Sequence, residues 1–147
     1  MIKSFRGLLA DGEQETIRLG TNDGLIGYRI VKFQIMSYLP TSGGHKEHVV
    51  QIWKVKQTSA PTVAPAPVDF DNGLLLGAAW SLSSDSPAYA STQDILFDSE
   101  VFNQDIYVTH TDTDGTDSCN YYIELEQVKL DLNEATVATL KDMRGSN

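Results

Sequence analysis

Three histidines, one cysteine and one dense run of carboxylates hold most of the chemistry available to this 147-residue chain. The run is His110-Thr111-Asp112-Thr113-Asp114-Gly115-Thr116-Asp117. Alternating carboxylates ahead of a glycine match the opening of a calcium loop, where hard oxygens converge on one ion. Asp112, Asp114 and Asp117 would be the ligands. The match breaks at both ends: His110 takes the first position, and Tyr121 stands where a twelfth-position glutamate belongs. Asp-Gly is also a strong hairpin signal, so a turn is the preferred reading, with calcium as the alternative.

His45 and His48 flank a loop-to-strand junction. Their spacing could bring both to one metal, but no third ligand is evident nearby, and surface histidines are expected. Cys119 precedes a strand and reads as a small buried apolar residue. A single cysteine excludes an internal disulfide framework and leaves too little sulfur for a structural zinc site. Catalysis by the thiol would need an adjacent base and an activating environment, which the sequence does not identify. Gly-x-Ser-x-Gly elbows, phosphate loops and dinucleotide fingerprints are absent. Twenty acidic residues always offer some pair as a glycosidase dyad, so their presence discriminates nothing. Trp53, Trp80, Tyr89, Tyr107, Tyr121 and Tyr122 would form a sugar-stacking platform only if several were exposed together, and strand aromatics are mostly core. A non-enzymatic chain without metal or cofactor is the expectation.

The elements that position these residues are mostly strands. Val, Ile, Tyr, Phe, Trp and Thr recur in short runs with a period of two. Strands are expected at Ser4–Leu9, Glu15–Leu19, Tyr28–Tyr38, His48–Gln57, Asp94–Phe97, Ile106–His110 and Asn120–Leu130. Within them, Val31, Phe33 and Ile35 share a face, as do Tyr121, Ile123 and Leu125. The basic end of His48–Gln57, Lys54 and Lys56, is expected in solvent. Leu74–Leu82 is too short for periodicity to separate strand from helix. Residues 58–69 carry Pro61, Pro65 and Pro67, which favour extended chain and cannot donate to a ladder. They read as a long loop, or as an arm lying on a neighbouring subunit. A helical tail is expected over 132–145, capped by Asn133, with Val137, Leu140 and Met143 as docking residues. The whole reads as one all-β domain over 1–147, an antiparallel β-sandwich or jelly roll with a short C-terminal helix.

Composition sets the outer limits. Hydrophobic residues make up 41% and charged residues 21%, ordinary values for a globular protein, in a length suited to one core. No apolar run reaches the roughly 20 residues of a membrane-spanning helix, and the opening residues lack a signal-peptide pattern. The net charge of −9 argues against nucleic acid and anionic membrane as partners. Eight bases and five acids occupy residues 1–56, whereas three bases and fifteen acids occupy 57–147. The acidic part reads as a solubilising surface, or as one side of a contact between copies.

Two long stretches, Phe97–His110 and Asn120–Arg144, with Ile2–Gly7 and Gly27–Phe33, resemble small structural proteins of marine tailed bacteriophages, the cyanophages and their relatives. The resemblance covers most of the chain outside the Pro-rich and Ser-rich loops and includes no catalytic motif. It implies a virion protein, most simply a capsid decoration protein, with a tail or neck component contacting glycan as the alternative. Its partners would be other virion proteins, the major capsid protein first, and further copies of itself.

Overall fold

The computed structural model describes residues 1–20, 25–40, 44–58, 67–83, 92–113 and 117–144, with residues 142–144 described by backbone alone. Among the described residues, eight strands and one helix follow in order: β1 (Ile2–Leu9), β2 (Gln14–Ile17), β3 (Ile26–Ser37), β4 (Lys46–Trp53), β5 (Leu75–Ser83), β6 (Thr92–Phe97), β7 (Ile106–Asp112), β8 (Cys119–Lys129) and α1 (Leu132–Arg144). The ambiguous apolar run near residue 75 is a strand. Every strand pairing is antiparallel. One sheet has the order β1-β8-β3 and the other β2-β7-β4-β5-β6, so the protein is an all-β sandwich with a short C-terminal helix. The sheets hold three and five strands because β6 forms a hairpin with β5.

The core lies between the sheets, and the alternation of each strand builds it. Tyr121, Ile123 and Leu125 of β8 face Val50 and Ile52 of β4 and Ile106 and Val108 of β7, all buried. The outer face of the small sheet is charged and paired across strands. Arg29 sits opposite Glu126 and bonds it at 2.5 Å, and Lys32 sits opposite Glu124.

Two expectations about faces and one about the helix cap are corrected. In β3 the pairing skips from Ile30 to Lys32, leaving Val31 as the extra residue of a bulge. Ile30 and Phe33 are therefore buried, and Val31 is exposed instead of sharing the face of Phe33. β4 stops at Trp53, after which Lys54 is buried, not solvated: its Nζ bonds Glu100 Oε1 at 2.6 Å. The helix is capped by Asp131, not Asn133, since Asp131 Oδ1 accepts from the Glu134 amide at 2.7 Å.

The helix turns small residues inward. Ala135 and Ala138 pack on Leu130 with Leu25, Val101 and Val128 around them. Leu132, Val137 and Leu140 are left exposed. Asn103 secures the helix from the preceding loop, donating to Thr139 Oγ1 at 2.8 Å.

Candidate functional site

The most chemically capable cluster is interior. On β4 the inward positions are Lys46, His48, Val50 and Ile52; on β7 they are Ile106, Val108, His110 and Asp112. The register sets His48 opposite Asp112 and Val50 opposite His110, so the two histidines are diagonal neighbours on one face. Cys119 opens β8 in the facing sheet, between Leu9 and Ser37. One nitrogen from each histidine and the Cys119 sulfur all lie within 4.8 Å of one another, and all three residues are buried.

The expected surface histidine at 48 is thus a core residue at 1% exposure, and His110 is at 0%. The missing third ligand was never close in sequence. It comes from strands 62 and more residues away, and His45 takes no part. No sequence signal short of the strand register joins positions 48, 110 and 119.

Hydrogen bonding assigns the protons. The chain crosses from one sheet to the other at Ala10–Glu13, with Gly12 at φ +78°, a left-handed turn conformation that suits glycine. That corner aims the Ala10 carbonyl at His110 Nδ1, 3.1 Å away. A carbonyl only accepts, so His110 Nδ1 carries the proton and Nε2 carries a lone pair. His48 Nδ1 lies 2.9 Å from that lone pair and must donate to it. The remaining His48 nitrogen, Nε2, is then a buried lone pair with no partner. Leaving such a group unsatisfied costs about 1–3 kcal/mol.

Burial pushes the basicity of both histidines below the usual range. For His48 the neighbouring His110 adds to the effect, while Asp112 and Asp117 oppose it; for His110 the Ala10 bond, Asp11 and Asp112 oppose it. Burial also pushes the Cys119 thiol up to about 12, so the metal-free cysteine is a neutral thiol and not a nucleophile. The sulfur makes only weak contacts, to Met36 O at 3.6 Å and Asn120 O at 3.5 Å.

These shifts fix a pH dependence of stability. The folded protein resists protonation that the unfolded chain accepts near pH 6.5, so the unfolded state binds more protons below that value. The stability is fully present above pH 6.5 and is lost as pH falls from there toward the lowered folded values. Within that window the slope is about 1.4 kcal/mol per pH unit for each histidine. Urea melts of the metal-free protein between pH 7.5 and 5 (His110→Gln as the comparison) measure it; a flat profile contradicts the burial of neutral imidazoles.

The carboxylate run joins β7 of the larger sheet to β8 of the smaller one, so the hairpin that Asp-Gly signals does not form. Asp112 is buried and its Oδ2 accepts from the Asp117 amide at 2.9 Å. Asp114 lies outside the described residues. Nor do the aromatics gather into a platform. Trp53 and Tyr121 are buried, with Tyr121 hydrogen-bonded to Glu15 and kept neutral by burial. Trp80 Nε1 donates to Glu47, Tyr122 projects from the other sheet, and Tyr89 lies outside the described residues.

The surface offers a second candidate. β6 is an edge of the larger sheet, and Leu96 and Phe97 on it are 57% and 40% exposed. Val68 and Phe70 lie beside them at 40% and 66%. Together they line two adjoining clefts of about 260 and 310 Å³ that reach Leu76, Ala78 and Trp80. The Pro67 carbonyl accepts from Gln51 Nε2 at 3.2 Å, so the end of the Pro-rich segment lies against its own sheet. Pro61 and Pro65 lie outside the described residues, and so does the side chain of Met143. No protein-family model matches this sequence, and no curated protein matches it.

Proposed function

We propose that this chain is a non-enzymatic structural subunit of a virion, of the capsid-decoration kind, which attaches through apolar surface to neighbouring subunits and to the major capsid protein. The observation that carries the reading is the apolar strip along edge β6, formed by Leu96 and Phe97 with Val68 and Phe70. Natural sheets usually blunt an edge with charge, proline or a covering element, and here Asp94 is the only charge within the strand. A bare apolar edge is a ready surface for pairing with another chain. The outward Val137 and Leu140 of α1 add a second such surface.

Two further observations support it. The order β1-β8-β3 facing β2-β7-β4-β5 supports a jelly-roll reading of the sandwich, an architecture that capsid domains use among others. That is a likeness of architecture and does not by itself establish function. The sequence resemblance to phage structural proteins points the same way.

Leu96→Lys is the direct test, because an exposed side chain can be changed without disturbing the core. The wild-type chain is expected to self-associate, or to bind shells lacking it, in a concentration-dependent manner measured by light scattering and sedimentation. The variant should keep its melting temperature and lose association by at least ~10-fold, about 1.4 kcal/mol. In purified particles, labelled chain should spread over the head. A wild-type chain that stays monomeric at every concentration and is absent from particles contradicts the proposal.

A further inference from the structure

We propose that His48, His110 and Cys119 form a buried three-ligand site for one thiophilic transition-metal ion of the zinc–copper group, held between the two sheets. The inference is independent of any virion role. The geometry of the donor set carries it, and the partnerless lone pair on His48 marks a buried nitrogen able to coordinate.

Two imidazoles and a thiolate select zinc and copper over calcium or magnesium, which prefer oxygen. Ligands about 2.0–2.3 Å from one ion must stand about 3.3–4.0 Å apart in tetrahedral or trigonal geometry. The histidine nitrogens are at 2.9 Å and the whole set lies within 4.8 Å, values that bracket the requirement. Side-chain adjustment of about an ångström reaches it, with no strand movement. All three ligands stand on strands, β4, β7 and β8, and not on loops, so the framework holds their spacing. His110 is already oriented as a ligand should be: its far nitrogen donates to a backbone carbonyl, and its near one offers a lone pair inward.

The second observation is the buried, partnerless His48 Nε2 at a residue only 1% exposed. A pair of imidazoles that merely filled space would leave this group unpaired. An ion that takes lone pairs from both histidines replaces the Nδ1–Nε2 hydrogen bond between the rings, and His48 keeps its one proton on the nitrogen that does not coordinate. Forming the metal–sulfur bond breaks the Cys119 S–H bond, and that proton passes to solvent. The imidazoles are neutral beforehand and release none, so each ion bound displaces one proton. The ligands are closed off from solvent, which couples loading to folding.

The test is to refold the full chain from denaturant, under reducing conditions, with cobalt(II) as probe, and then to displace the cobalt with zinc. The expected result is one cobalt per chain, a thiolate-to-cobalt charge-transfer band in the near ultraviolet, and one proton released per ion. The melting temperature should rise with either metal. Cys119→Ser should lose the band, and His45→Ala should keep it. The wild-type spectrum alone decides the matter if a variant fails to fold. A folded wild-type protein that takes up neither metal overturns the proposal. So does cobalt bound without a sulfur band, or cobalt lost with His45→Ala and retained in Cys119→Ser.

Discussion

Phe102→Ala is expected to destabilise the protein by about 3–5 kcal/mol, measured by urea unfolding at neutral pH. Phe102 is 1% exposed although it lies in the connection between β6 and β7 and not in a strand. Its backbone exchanges two hydrogen bonds with Tyr28 of β3, at 2.9 and 2.7 Å, which fastens the connection to the opposite sheet. Next to it, Asn103 holds the helix. The ring is thus fixed from both sides, and the surroundings cannot close over the space it would vacate. That places the cost toward the upper part of the range for a large-to-small change. A loss below about 1 kcal/mol would mean that the connection relaxes freely, which the paired backbone argues against.

Glu100→Gln is expected to cost about 3 kcal/mol, because it removes the carboxylate paired with a buried ammonium. The Lys54 side chain is 5% exposed and its Nζ lies 2.6 Å from Glu100 Oε1, whose own side chain is 25% exposed. Removing one member of a buried pair leaves the other charge without compensation, at about 3–5 kcal/mol; partial exposure of the acid places this case at the low end. Lys54→Met together with Glu100→Gln should recover most of the loss, because no uncompensated charge then remains. Chemical denaturation of the two single variants and the double variant reads this coupling directly. An additive double variant would show that the pair acts only as surface charge.

These two sites also mark where sequence reasoning stops. Lys54 lies in a run that alternates plausibly into solvent, and nothing local foretells that Glu100 will be brought over it. Phe102 has no periodic neighbours to identify it as core. Val31 continues the alternation of Phe33 and Ile35, yet the bulge at that residue reverses its side, because one extra residue shifts everything before it by one. In the helix, Val137 and Leu140 stand outward, as residues meant for docking on a neighbour would, and periodicity alone does not name the inward face. The small Ala135 and Ala138 are the ones that pack, since they allow a close approach to Leu130.

By itself the sequence determined the class of the fold, the strands around Tyr121–Leu125 and Ile106–Val108, and the existence of a terminal helix. Those properties depend on neighbours a few residues apart, where alternation, backbone preference and turn chemistry act directly. Only the tertiary structure decided that His48, His110 and Cys119 meet, that Lys54 is buried on Glu100, and that β6 is left as an apolar edge. Each of these follows from which strands become neighbours and in what register, and that is set by the packing of two whole sheets against each other.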